Sequence, residues 1–147
     1  MAIFKFDSDA NIAPHESLCP WSRRPYVYHD KNRTLYNGRV MILHITSRAE
    51  WADAQSRGEY IAPSLKTEGF IHCSTEKQVR HVANAFYRGR NDLVLLMIDE
   101  SKLEPELKWE APAGPPAPGI SESDSFPHIF GSVNLTAVAS VRDFPAG

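Results

Sequence analysis

Two segments of this chain place a histidine two residues before a hydroxyl side chain, and they are the first candidates for chemistry. In one segment, strand alternation would put Phe70, His72 and Ser74 on the same face. In the other, the same alternation would put His44 and Thr46 on a common face. Histidine titrates near neutral pH, so these positions suit proton transfer.

Two later segments add a carboxylate and a third histidine. Glu110 ends a probable short strand next to Trp109. Packing against the indole would desolvate the carboxyl group and raise its pKa, and a solvated glutamate at the end of a strand is the equal alternative. His128 lies in the aromatic run Phe126–Phe130. We therefore predict one pocket built from four segments. The candidate catalytic residues are His44, His72, Glu110 and His128, and the candidate substrate-binding residues are Thr46, Phe70, Ser74, Trp109 and Phe130.

The motif content narrows the choice of cofactor. Three histidines and a carboxylate on separate strands could bind a catalytic zinc ion, but no HxH or HExxH pattern is present, so no metal site is predicted. The chain also lacks a Walker motif and a GxGxxG motif, which disfavours nucleoside triphosphate and Rossmann-type binding. No tightly bound cofactor is expected.

Composition argues against two classes of partner. The 147 residues include 16 Lys and Arg against 18 Asp and Glu, a formal charge of −2, so no positive field favours nucleic acid or anionic membranes. The longest apolar run, Leu93–Ile98, is too short to span a bilayer, and the first residues do not resemble a signal peptide. We expect a cytoplasmic protein that binds a small molecule. Its two cysteines, Cys19 and Cys73, should stay reduced, with Cys73 in the core.

The organisation along the chain indicates one domain with an extension. Residues 1–39 are rich in scattered proline and tyrosine and form the predicted N-terminal extension, whereas residues 40–147 form the domain. Asn37-Gly38 predicts a hairpin that pairs residues 34–36 with residues 40–45. Capping-box spacings at Ser47 and Thr75 predict two helices, the first ending at Gly58 and the second near Gly89.

Strands are expected between and after these helices. The uninterrupted apolar run 93–98 predicts a central strand covered on both faces. Residues 60–65 should be extended, with Pro63 excluded from a central position. The segment 111–127, rich in Pro and Gly, is either a lid or a disordered loop. Further strands are predicted at 40–45, 70–73, 107–110, 128–133 and 137–141. The fold class is α+β, with a curved, split, antiparallel or mixed sheet and two helices.

Residues 42–141 resemble the domain of unknown function 952 family. The resemblance is carried, in this order, by Leu43-His44-Ile45-Thr46, Trp51, Glu68-Gly69-Phe70-Ile71-His72-Cys73-Ser74, Gln78, Phe86-Tyr87-Arg88-Gly89, Leu93-Val94-Leu95-Leu96, Leu107-Lys108-Trp109-Glu110 and Phe126-Pro127-His128-Ile129-Phe130-Gly131. That family is similar in fold to ADP-ribosyltransferases and RNA 2′-phosphotransferases, in which a curved split sheet holds NAD or ADP-ribose in a cleft.

The resemblance implies roles for the candidate residues. His44 and Thr46 would contact the ribose on the nicotinamide side, the segment with Phe70, His72 and Ser74 would line the next wall, and Glu110 or His128 would lie on the later catalytic strand. The leading hypothesis is therefore an enzyme that binds NAD or another nucleotide containing ADP-ribose and acts at the ribosyl C1 atom, with NAD as substrate.

Two other functions remain open from the sequence. The first is a cofactor-free acid–base enzyme, such as an isomerase, cyclase or lyase, that uses the same histidines and Glu110 on a small metabolite. The second is a non-catalytic ligand-binding or interaction module. The sequence leaves the substrate and the oligomeric state undetermined.

Overall fold

The computed structural model describes residues 33–145, which form an α+β fold with strands β1–β9 and helices α1–α3. The strands are β1 Thr34–Tyr36, β2 Arg39–Ser47, β3 Glu59–Tyr60, β4 Ile71–His72, β5 Leu93–Asp99, β6 Glu106–Glu110, β7 Phe126–Phe130, β8 Val133–Asn134 and β9 Val138–Asp143. The helices are α1 Arg48–Arg57, α2 Pro63–Thr67 and α3 Glu76–Phe86. Short 3₁₀ turns follow β5 and β8.

A four-stranded antiparallel sheet in the order β1-β2-β5-β9 forms the centre of the fold. Its first hairpin turns at Asn37 (φ 55°) and Gly38 (φ 78°), and positive φ at both central residues is the geometry that Asn-Gly favours. The predicted hairpin is confirmed, and β1 brings residues 34–36 of the predicted extension into the sheet. Residues 1–32 lie outside the described part of the chain.

Strand β5 has every residue buried, as the apolar run predicted. Val94, Leu96 and Ile98 pack on one face of the sheet, together with Ala54 of α1 and Ile129 of β7. On the other face, the alternate residues of β5 pack against Val79 and Ala83 of α3. Burial on both faces therefore explains why this strand shows no alternation of polar and apolar residues.

A smaller three-stranded sheet, in the order β4-β7-β6, carries the later candidate site residues. It meets the larger sheet where the backbone of Leu43 and that of Ser74 exchange two N–H···O bonds, of 2.8 and 2.7 Å. Strands β3 and β8 form a separate antiparallel pair. The bridge between Leu43 and Ser74 places the end of β4 directly beside β2, and this brings the two His-and-hydroxyl segments together.

Both predicted helix starts are confirmed. The Ser47 side chain accepts a hydrogen bond from the Glu50 backbone N–H at the start of α1. Thr75 and Gln78 form a reciprocal capping box at the start of α3. The first helix ends at Gly58, which has a left-handed backbone, as predicted.

The sequence prediction was wrong at α2, where an extended segment was expected. Pro63 is the first residue of this helix, a position in which its missing N–H has no cost and its fixed φ is already helical. The fold therefore has three helices in place of the predicted two, and every strand pairing among residues 33–145 is antiparallel. None of these helices is long and apolar enough to cross a bilayer.

Candidate functional site

The imidazole of His44 on β2 is held by hydrogen bonds at both ring nitrogens. Its Nδ1 lies 2.6 Å from the His72 carbonyl oxygen, and its Nε2 lies 2.8 Å from the Tyr60 hydroxyl. The Tyr60 hydroxyl also lies 2.9 Å from Thr46 Oγ1. A carbonyl oxygen can only accept, so Nδ1 carries the hydrogen and donates it to His72. His44, Tyr60 and Thr46 thus form a closed buried network.

Burial determines the charge of this network. Desolvation lowers the pKa of His44 from 6.5 to about 4, although the hydrogen bond to the His72 carbonyl opposes the shift. Desolvation also raises the pKa of Tyr60. The imidazole and the phenol are therefore both uncharged at neutral pH, and neither ring nitrogen of His44 is free to contact a ligand.

His128 on β7 has a different environment from His44, because a side chain of the described residues bonds only one of its two ring nitrogens. Its Nδ1 lies 3.0 Å from Glu110 Oε2 across the β6–β7 pair. Its Nε2 has no hydrogen-bond partner among residues 33–145, although the residue is only 3% exposed. This arrangement is a histidine oriented by a carboxylate, which is common where a histidine transfers protons.

His72 lies opposite His128 across the β4–β7 pair. Its Nε2 lies 2.9 Å from Glu68 Oε1, and the two imidazole rings are 5.5 Å apart in an edge-to-face arrangement. The ring of Phe70 packs against both, with centroids 4.8 Å from His72 and 4.3 Å from His128. The small sheet therefore presents two adjacent histidine–carboxylate pairs that pack against one phenylalanine ring.

A cavity of about 550 Å³ lies between this face, β2, α1 and α3. Its volume falls within the range of small-molecule sites. The predicted residues that line it are His44, Thr46, His72, Ser74 and His128, and the additional lining residues include Glu50, Tyr60, Glu68, Val82, Phe86, Tyr87, Arg90, Phe126 and residues 112–117. The sequence thus identified the histidines and hydroxyls that share one cavity.

Four other candidates do not line the cavity. Phe70 and Phe130 lie in one aromatic cluster, with centroids 5.5 Å apart, and Glu110 reaches the cavity only through His128. Trp109 packs against the core, and its indole N–H donates to Glu100 Oε2 at 3.3 Å. Because Trp109 and Glu110 alternate on β6, their side chains point to opposite faces, and the Glu110 side chain is 43% exposed. Of the two alternatives for Glu110, the structure fits the solvated carboxylate at the end of a strand.

The sequence analysis missed several residues that the fold brings to the cavity. Tyr60 completes the His44 network from β3, but a single tyrosine in an extended segment carries no spacing signal. Glu68 precedes His72 by four residues, and this spacing could have suggested the pair. Residues 112–117 form one wall of the cavity, so part of the predicted lid or disordered loop has a defined place.

The cysteines and the possible metal ligands add no further chemistry to the described site. Cys73 is buried in the core as expected, and desolvation raises the pKa of its thiol, which disfavours a thiolate nucleophile. Cys19 lies outside the described residues. Within residues 33–145, no three His, Cys, Asp or Glu side chains are grouped as metal ligands.

Comparison with known proteins places the chain in a family. The family model described as a protein of unknown function (DUF952) matches residues 45–141. The chain belongs to this family. The match includes Thr46, His72, Ser74, Glu110 and His128, while His44 precedes it by one residue. Among curated proteins, none matches the chain.

Two solved structures of protein CC0527 from Caulobacter crescentus are similar to this fold. The crystal structure of protein CC0527 from Caulobacter crescentus is 33% identical, covers 70% of this chain and 84% of its own, and superposes with a TM-score of 0.60. The solution NMR structure of the same protein is 32% identical over 71% of this chain and 84% of its own, with a TM-score of 0.58. The similarity supports the α+β architecture. The resemblance to ADP-ribosyltransferases stays a prediction.

Proposed function

We propose that the chain is a cofactor-free acid–base enzyme that binds a small metabolite in the 550 Å³ cavity and transfers a proton through His128. The observation that carries this proposal is the contact between Glu110 Oε2 and His128 Nδ1, at 3.0 Å, combined with a His128 Nε2 that no group of residues 33–145 contacts by a hydrogen bond. The reaction class is that of an isomerase, cyclase or lyase.

The carboxylate of Glu110 fixes which nitrogen reacts. A hydrogen on Nδ1 donated to Glu110 leaves the lone pair on Nε2, which is the form needed to accept a proton from a bound molecule. The imidazolium formed in this way is stabilised by the adjacent carboxylate. In an isomerisation the same proton returns to another atom of the substrate, so the step needs no co-reactant. Glu110 is thus a positioning residue for His128.

His72, in the second histidine–carboxylate pair, is the second proton-transfer group of the proposed reaction. His72 is bonded to Glu68, and its ring lies 5.5 Å from that of His128. Two imidazoles at this separation can contact different atoms of one small ligand, so that one accepts a proton while the other donates. This is the arrangement that an isomerase or a lyase requires.

The second candidate is an enzyme that acts on NAD or another ADP-ribose nucleotide at the ribosyl C1 atom. It is favoured by a cavity larger than a minimal metabolite needs and by the aromatic rings of Phe86 and Phe126 in the cavity lining. Because both nitrogens of His44 are bonded within the protein, contacts to the ribose would come from Ser74 and His72.

A substrate-independent screen tests the proposal. The full chain is incubated with pools of metabolites in D2O, and proton NMR detects new products or incorporated deuterium. NAD is included, and free nicotinamide is the product expected from the second candidate. His128→Gln should lower turnover at least about 100-fold, which is the smallest usual contribution of general acid–base catalysis. Lys77→Gln, at an exposed position of α3 outside the cavity lining, is the control.

The outcomes separate the three functions. Turnover that His128→Gln abolishes and Lys77→Gln retains supports the acid–base enzyme, and release of nicotinamide identifies the nucleotide enzyme. A compound that binds saturably and is never converted would indicate a binding module. Equal turnover by wild type and His128→Gln would remove His128 from the mechanism.

A further inference from the structure

The polar side chains of the cavity fall into two groups. His44, Tyr60 and Thr46 are bonded to one another or to the backbone. The Ser74 hydroxyl and His128 Nε2 have no hydrogen-bond partner among residues 33–145, although these residues are only 5% and 3% exposed. Neither atom is sealed from solvent. Both atoms line the cavity and can reach its solvent, so both are available to the polar group of a ligand.

The charges around the cavity restrict that ligand. Glu50 and Glu68 are its two lining carboxylates, and within the described chain Arg90 is the lining side chain with a permanent positive charge. The Arg90 guanidinium donates to both oxygens of Asp92, at 2.9 and 2.6 Å, so this carboxylate neutralises it. A bound carboxylate or phosphate would therefore face like charges without a free cation to offset them.

The mouth of the cavity is apolar. Phe86, at the end of α3, is 67% exposed, and it lines the cavity together with Val82 and the proline-rich residues 112–117. Large aromatic side chains gain most from burial, so a ligand in the cavity that also covers Phe86 gains apolar contact there.

The loop that carries residues 112–117 is held against α3 at two points. The Gln78 side-chain amide, in the first turn of α3, donates to the Ser125 carbonyl at 2.9 Å. Gly119 in the same loop packs so closely on the ring of His81 in α3 that an added Cβ would clash with it. The apolar mouth is therefore a preformed surface between α3 and residues 112–117.

We infer that the ligand is a neutral or cationic molecule with a polar group at one end and an apolar group at the other. An alcohol or amine group binds at Ser74 and His128, and an aromatic or other apolar group covers Phe86. Carboxylates and phosphates should bind less tightly, because Glu50 and Glu68 line the same cavity and Asp92 neutralises Arg90. This inference deepens the proposed acid–base function and rests on it, because it names the substrate class of the same cavity.

Three probes that share a ring and differ in their polar group test the inference. Benzylamine, benzyl alcohol and benzoate are titrated into the ¹⁵N-labelled full chain, and amide shifts of the lining residues are followed by NMR. Benzylamine should bind at least about tenfold more tightly than benzoate. Ser74→Ala should weaken the amine and the alcohol about fivefold, the effect of one hydrogen bond. Phe86→Ala should weaken all three, and Glu122→Gln, away from the cavity, is the control.

Several results would overturn the ligand class. These are tighter binding of benzoate or ADP-ribose than of benzylamine, failure of all three probes to shift the lining amides, or unchanged affinity in Ser74→Ala and Phe86→Ala. The Ser74 hydroxyl forms no hydrogen bond within the described part of the chain, so Ser74→Ala should keep the wild-type melting temperature. The metabolite screen with His128→Gln is independent: if turnover still depends on His128 after the probes fail, only the ligand class is wrong.

Discussion

Acidification should destabilise the protein through His44 before its carboxylates titrate. The imidazole is buried and bonded at both nitrogens, and desolvation lowers its pKa from 6.5 to about 4. The unfolded chain therefore binds a proton at this residue more tightly than the folded chain does. The stabilising contribution is complete above pH 6.5 and is lost as the pH falls towards the folded-state pKa.

The size of the effect follows from the same pKa. Each pH unit between the unfolded and folded values is worth about 1.4 kcal/mol, so a decrease from 6.5 to about 4 amounts to about 3 kcal/mol in the free energy of unfolding. Urea denaturation followed by circular dichroism, at steps between about pH 7.5 and about pH 4, measures this loss. His44→Gln removes the titrating group, so the variant should be less stable at neutral pH but should show a shallower pH dependence.

The difference between the two pH profiles isolates His44 from other groups that titrate in the same range. The reasoning is refuted if wild type keeps its full stability down to pH 4, or if His44→Gln loses stability with the same slope as wild type. Either result would mean that this imidazole is not held in its neutral form by burial.

Three further substitutions test the elements that position the site. Tyr60→Phe should lower the free energy of unfolding by about 1–3 kcal/mol in urea denaturation, because it removes the buried hydroxyl that His44 Nε2 and Thr46 Oγ1 both contact. An unchanged midpoint would contradict the network. Thr75→Ala should cost about 1 kcal/mol by removing the capping box of α3, measured in the same way, and no loss would mean that the cap is redundant. Gly119→Ala should lower the melting temperature and shift the NMR signals of residues 112–117. Gly119 has a φ of 92°, and a Cβ at this position would clash with His81. A wild-type spectrum of the variant would show that His81 does not hold the loop.

The sequence predicted those parts of the fold that local patterns determine. The capping boxes at Ser47 and Thr75, the Asn37-Gly38 hairpin and the buried run of β5 each have a physical cause within a few residues. Helix α2 was not predicted, because Ala62 at its N-cap position supplies no capping side chain. Pro63 also gave no decision, since proline suits both an edge strand and the first turn of a helix. Only the packing of the surrounding chain decides between these.

The candidate site was predictable where residues alternate along one strand, and not where partners come from distant segments. The shared face of His44 and Thr46 follows from strand alternation, and both reach the same phenol. The partner itself, Tyr60, depends on tertiary packing. The same alternation should have placed Trp109 and Glu110 on opposite faces of β6, although their adjacency in sequence suggested contact.

The most direct test of the account compares wild type with His128→Gln on the first metabolite that the screen shows to be converted. We predict a loss of at least about 100-fold in kcat/KM with a retained melting temperature, and a smaller loss for Glu110→Gln, which keeps the reacting imidazole but loses the charge that stabilises it. Turnover by His128→Gln at the wild-type rate would contradict the central claim that His128, held by Glu110, transfers the proton.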